Sequence, residues 1–140
     1  MKSIFMKRAE IVLQGGYFGY EALHGFVALF AEGEGYSNLF VEKLQLAMKE
    51  AFVNAVKHGN KEQFDLSVTC VFTVVEDMLL VSVRDSGEGF NPDELPNPLD
   101  SPNLFRLSGR GIYIIRSIAE AITLERDQDG SVLTMRYHPY

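Results

Sequence analysis

The chain has 140 residues, 46% of them hydrophobic, which fits one domain around one core and excludes global disorder. A formal net charge of −6 excludes broad, sequence-independent nucleic-acid binding, which needs a basic face, and leaves room for a local patch toward a protein partner. The single cysteine, Cys70, permits no internal disulfide and reads as a small hydrophobe in a β-rich run; with only His24, His58 and His138 beside it in the sequence, no zinc pattern exists.

Met1 to Arg8 carries charge without a long apolar run behind it, and the most apolar early piece, Phe26 to Ala31, is too short for a bilayer, which takes about 20 residues. The expectation is a cytoplasmic protein with no signal peptide and no membrane partner. Glu10 to Leu13 reads as a strand, broken by Gly15-Gly16. Tyr17 to Glu32 reads as a helix with Tyr20, Leu23, Phe26, Val27 and Phe30 near one face, ended by a turn at Gly33 and Gly35. Ser37 caps a second helix running to about His58, whose apolar stripe is Phe40, Val41, Leu44, Ala47, Met48, Ala51, Phe52 and Ala55, with Gly59-Asn60 as its stop. Phe64 to Val75 alternates, with Leu66, Val68, Cys70, Phe72 and Val74 on one side. It pairs through Glu76-Asp77 with Met78 to Arg84 as an antiparallel hairpin.

Asn91 to Ser108 holds four of the five prolines, Pro92, Pro96, Pro98 and Pro102, so neither helix nor central strand is expected. At about 18 residues it exceeds an ordinary connection and reads either as a functional lid or as a plain surface loop. Gly111 to Glu120 reads as a third helix with Ile112, Ile115 and Ile118 inward. Two further strands, Ala121 to Arg126 and Val132 to Tyr137, are joined by the turn Asp127-Gln128-Asp129-Gly130. The sum is a single α+β domain over residues 1–140: a two-layer sandwich of one mostly antiparallel sheet with three helices on one face.

Three polar motifs interrupt this apolar framework. Glu50 and Asn54 are four residues apart on the second helix and share a face that Lys57 and His58 continue. A carboxylate and an amide oxygen there suit a hard cation such as Mg²⁺; a solvated helix face is the alternative. Asp85 ends an apolar strand and is an acceptor only, suited to the exocyclic amine of adenine, while Gly87 and Gly89 let backbone approach a flat ring; a simple glycine turn is the alternative. Gly109-Arg110-Gly111 opens a helix, where free N–H groups and a forked cation bind phosphate. A dinucleotide fingerprint is excluded, since a proline-rich loop precedes this motif and Ile114 follows it, and the Walker pattern is absent.

In this order the motifs resemble those of the GHKL ATPase superfamily, named for gyrase, Hsp90, histidine kinases and MutL. Glu50-x-x-x-Asn54 looks like its N box, Asp85-x-Gly87-x-Gly89 like its first glycine box and Gly109-x-Gly111 like its second, and Thr134 looks like the last-strand threonine that supports adenine through water. The short chain, the Glu50–Asn54 spacing and the run Gly109-Arg110-Gly111-Ile112-Tyr113-Ile114-Ile115 are most similar to the anti-sigma factor serine/threonine-protein kinase family. The resemblance implies ATP as nucleotide with Mg²⁺ held by Asn54, adenine read by Asp85, phosphates attended by Gly109, Arg110 and Gly111, and Glu50 as the general base toward a serine of an anti-anti-sigma partner of the STAS type. It also implies sequestration of a sigma factor and a possible homodimer. Two alternatives accompany it: a catalytically silent nucleotide switch of the same fold, and a detached catalytic domain of a histidine kinase. Lys57 could reach a phosphate or stand solvated, Arg106 could reach in from the proline-rich stretch, and His58 reads as a cap on the carbonyls of the helix end.

Overall fold

The computed structural model describes residues 6–14, 16–87, 115 and 117–140. Five strands form one antiparallel sheet: β1 (Met6–Leu13), β2 (Val68–Val75), β3 (Met78–Asp85), β4 (Ala121–Asp127) and β5 (Gly130–Tyr137), in the spatial order β1-β2-β3-β5-β4. Helices α1 (Gly19–Glu34) and α2 (Asn38–Asn54) cover one face of it.

The period-2 pattern decides which face is covered. Val68, Cys70 and Phe72 of β2, Leu79, Val81 and Val83 of β3, and Leu133, Met135 and Tyr137 of β5 are buried against Leu23, Val27 and Ala31 of α1 and Leu44, Ala47, Met48 and Phe52 of α2. Each large side chain fully buried this way contributes about 1.5–3 kcal/mol. The helix ends follow their caps. Gly35 takes the left-handed conformation (φ 73°) that ends α1, and Ser37 Oγ accepts the Phe40 N–H at 3.2 Å to start α2.

Several boundaries differ from the sequence reading, each for a physical reason. The first strand begins at Met6 rather than Glu10, pairing with the whole of β2 from Met6↔Val75 to Leu13↔Val68. Its early residues Lys7 and Arg8 are charged and exposed, as suits an edge strand, so they carry no alternation to read. The strand expected from Phe64 begins at Val68, because residues 64–67 turn: Leu66 N–H bonds Gln63 O at 3.0 Å, and Asn60 Nδ2 donates to Ser67 O at 3.1 Å. The second helix is α-helical only to Asn54. Ala55–Gly59 winds more widely, as a π-turn closed by Asn60 N–H on Ala55 O at 2.8 Å.

The third helix, expected over Gly111 to Glu120, lies largely outside the described residues; Ile115, Ser117 and Ile118 are helical, and Ile115 is fully buried. Gly15, Ile112 and the proline-rich stretch Asn91 to Ser108 also lie outside them. Among the described residues, no helix is long and apolar enough to cross a membrane.

Candidate functional site

The end of α2, the π-turn, the end of β3 and the adjoining ends of β4 and β5 enclose a cavity of about 220 Å³. Ala51, Ala55, Val83, Leu124 and Leu133 give it apolar walls, and Asn54, His58, Asp85, Arg126 and Ser131 supply its polar atoms. A concave, largely apolar space with a few convergent polar groups is the usual form of a small-molecule site.

Asp85 is the chemical centre. It continues the inward row Leu79, Val81, Val83 and is only 5% exposed, so a carboxylate sits where the alternation calls for an apolar side chain. Its Oδ1 accepts the Ser131 N–H at 3.1 Å and the Gly87 N–H at 3.3 Å. Burial pushes its carboxyl above the ordinary value; the two N–H groups, then Arg126 and Arg84, oppose that rise without cancelling it. Burial likewise pulls the Arg126 guanidinium down, with Asp85 opposing. His58 is held below its ordinary value first by burial and then by Lys57, against the pull of Glu62.

The π-turn brings α2 onto this carboxylate. A Cβ on Gly59 would collide with the Asp85 carboxylate, and a Cβ on Gly87 would collide with the Gly59 carbonyl, so both positions require glycine. Asn60 closes the junction. It is 2% exposed, its Oδ1 accepts the Ser86 N–H at 2.7 Å, and its Nδ2 donates to Ser67 O. π-turns inside helices often mark functional positions; this one sets the helix end against the strand end that carries Asp85.

Of the sequence-predicted residues, Asn54 and Asp85 line the cavity together. Glu50 lies half-buried one turn before Asn54 on α2 and is not part of the cavity wall. Gly87 follows Asp85 as expected, but its open side faces the Gly59 backbone rather than the cavity. Thr134 is placed on the opposite face of the sheet, where its ladder partners are Ser82 and Thr123; the β5 hydroxyl residue at the cavity is Ser131. Lys57 is exposed. Gly89, Arg106, Gly109, Arg110 and Gly111 lie outside the described residues. Asn60, Arg126 and Ser131 were missed by sequence reasoning. Parity alone points to Ser131, since the inward row Leu133, Met135, Tyr137 extends back to residue 131 and excludes 134.

The residues present fit a nucleotide. A flat base fits apolar walls of small side chains, and Asp85 offers it a buried acceptor. Asn54 Nδ2 is buried and finds no hydrogen-bond partner among the described residues, as expected of a side chain built to meet a ligand. Among the described residues no group of three or more His, Cys, Asp or Glu is placed to hold a metal ion. A cation here would take the Asn54 amide oxygen from the described residues and further oxygens from phosphates and water, in keeping with the several waters and substrate phosphates that Mg²⁺ usually retains.

Residues 20–137 match the family described as histidine kinase-like ATPase domain. Among curated proteins, the chain is 31% identical over 109 residues to serine-protein kinase RsbW of Bacillus subtilis, covering 74% of this chain and 68% of that protein. It is 28% identical over 113 residues to serine-protein kinase RsbW of Listeria monocytogenes, covering 76% and 72%. Among solved structures it resembles the blue-light activated histidine kinase EL346 of Erythrobacter litoralis, with a TM-score of 0.57 at 21% identity over 74% of this chain; the chain spans 32% of that structure's length. A structure of that kinase's histidine kinase domain gives a TM-score of 0.57 at 16% identity, covering 88% of this chain and 60% of the other. The chain belongs to the histidine kinase-like ATPase family, and within it to the group that contains the RsbW serine-protein kinases.

Proposed function

We propose that this chain is an ATP-dependent serine-protein kinase that acts as an anti-sigma regulatory factor. It transfers phosphate to a serine of an anti-anti-sigma partner of the STAS type and sequesters a sigma factor, phosphorylation deciding which partner it keeps. The observation that carries the reading is a buried carboxylate, Asp85, in an otherwise mostly apolar cavity that it shares with the ligand-ready amide of Asn54.

In this reading, adenine enters between the apolar walls, and Asp85 accepts from its exocyclic amine. Ser131 and Gly87 hold the carboxylate still through their N–H groups, so the acceptor is oriented before the base arrives. Asn54 would hold Mg²⁺ through its amide oxygen, and the bound ion would supply charge neutralisation to the transferring phosphoryl group. Glu50, one turn away on the same helix, accepts the proton of the partner's serine hydroxyl. Its half-buried position beside the cavity rather than in its wall suits a base that must face a second protein.

Calorimetric titration of ATP with and without Mg²⁺ tests the site. Asp85→Asn should weaken binding about tenfold or more, the value of a hydrogen bond to a charged group. Glu50→Gln should bind ATP normally and transfer no phosphate to the STAS partner. The same position outside the cavity wall also favours a second reading, a nucleotide-gated binding module without turnover. Under it Glu50→Gln would leave partner switching intact. Acid-stable phosphate on the partner separates serine transfer from transfer to histidine.

A further inference from the structure

Arg126 has no part in the reading above, yet it occupies the same cavity. The β4–β5 register sets it opposite Ser131, the residue whose N–H holds Asp85 Oδ1 at 3.1 Å. Parity with the inward Leu124 puts it on the cavity wall with Asp85, Leu124 and Ser131. An arginine near the end of an edge strand can ordinarily run its stem along the surface and keep its head in water. Here Arg126 is half-buried in the wall of a largely apolar space that also holds the buried Asp85 carboxylate, and the attraction between the two opposes the burial that penalises both charges.

The chemistry of the two groups is complementary. A guanidinium only donates and a carboxylate only accepts. Lining one cavity, they offer a donor and an acceptor to a ligand that presents an amine next to a lone pair. Adenine does so twice over, since its exocyclic amine lies between two ring nitrogens, N1 and N7, that are both acceptors. A purine with a carbonyl at that position would turn an acceptor toward Asp85.

We propose that Arg126 is a specificity-determining residue of the base site: its guanidinium donates a hydrogen bond to a ring nitrogen of the adenine whose exocyclic amine is accepted by Asp85. This rests on the adenine reading proposed for the cavity. The guanidinium thereby turns a single acceptor into a two-point reader, and it does so from a strand that the three polar motifs do not include.

The test is a calorimetric titration of wild type, Arg126→Met and Arg126→Lys with ATP, 1-deaza-ATP, 7-deaza-ATP and purine riboside triphosphate, which lacks the amine. The expected result is that wild type binds one of the two deaza analogues about tenfold more weakly than ATP, the scale of one hydrogen bond from a charged donor. Arg126→Met should weaken ATP by a similar factor and bind that analogue as well as it binds ATP, with Arg126→Lys intermediate. The wild-type series needs no variant to fold. Equal affinity of wild type for ATP and both deaza analogues overturns the inference, as does an Arg126→Met protein that discriminates as wild type does, or a wild type that prefers GTP. If purine riboside triphosphate binds weakly while both deaza analogues match ATP, the inference fails and the adenine reading stands. If wild type binds no ATP, both fail.

Discussion

In the half of the sandwich built on the start of α2 and the end of β5, aromatic rings close on one another. Phe72 meets Phe26 and Phe30 at ring-centroid distances of 5.4 and 5.2 Å, and Phe40 meets Tyr36 and Tyr137 at 5.2 and 5.8 Å. In the other half the same helix presents Ala51 and the following turn presents Ala55, the same strands present Asp85 and Ser131, and a cavity of about 220 Å³ remains. α2 thus passes from Phe40 through Leu44 and Met48 to Ala51 within one apolar stripe. At the strand ends the cavity-facing positions of this continuous run are the small Ala51 and Ala55, while Phe52 between them turns into the core, so small side chains on one element make room for the site. The difference between the halves also divides the work: one half should carry stability and the other binding.

The largest expected effect is on the aromatic side. Phe72 is fully buried, and Phe72→Ala should lower unfolding free energy by about 3–5 kcal/mol. Chemical denaturation measures this, and calorimetry on the folded protein should find ATP affinity essentially unchanged. A large loss of affinity would mean that the two halves are coupled through the sheet. Next comes Asn60, which stands at the seam. Asn60→Ala leaves the Ser86 N–H without its acceptor and takes one of two donors from the Ser67 carbonyl, which keeps Ser86 Oγ at 2.9 Å, and should cost about 1–3 kcal/mol. Because Ser86 adjoins Asp85, this variant should lose ATP affinity as well as stability.

The smaller Ala55→Leu sharpens the division from the other direction. Ala55 is 7% exposed and lines the cavity. A larger apolar side chain there should raise stability by about 0.5–2 kcal/mol, as cavity-filling changes commonly do, while abolishing ATP binding. A thermal melt and a nucleotide titration on the same sample check both halves of the expectation. Stabilisation with ATP binding retained would place the base elsewhere.

How legible each half was follows from the same difference. The aromatic half obeys periodicity: Val68, Cys70 and Phe72 on β2 and Leu44, Met48 and Phe52 on α2 were readable because burial demands apolar residues at fixed spacing. The cavity half obeys it only in part. Asp85 and Asn54 were visible by another signal, as members of polar motifs at a strand end and on a helix face. What stayed hidden depends on long-range contact. The π-turn at Ala55–Gly59 is fixed by Gly59 packing on Asp85, 26 residues away, and no local propensity announces it. Asn60 read as a helix stop because its two partners, Ser67 and Ser86, come from other elements. Arg126 read only as the last residue of a strand because its surroundings depend on the register with Ser131. Thr134 went astray for a simpler reason: a one-residue change of parity moves a side chain through the sheet.

The smallest effect tests whether the cavity half sacrifices stability for binding. Asp85 has its carboxyl pushed above the ordinary value of 3.8, chiefly by burial. The folded protein therefore holds that proton more tightly than the unfolded chain does. Between 3.8 and the raised folded value the native state binds more protons, so stability attributable to Asp85 falls as pH rises through that window and stays reduced at neutral pH. Asp85→Asn removes the titration while leaving a side-chain oxygen for the Ser131 and Gly87 N–H groups. The stability of the variant minus that of wild type should accordingly be smallest in acid, grow as pH rises through the window, and level off above it, with the variant melting higher at neutral pH. Denaturation of both proteins across pH 3 to 7 measures the difference, in which every other titrating group cancels to first order. A difference of the opposite sign would mean that the hydrogen bonds and the two arginines outweigh burial, and that the ionised carboxylate stabilises the empty site. The predicted sign would mean that the fold carries a charged acceptor at a cost in stability, which a ligand with an amine can offset when it binds.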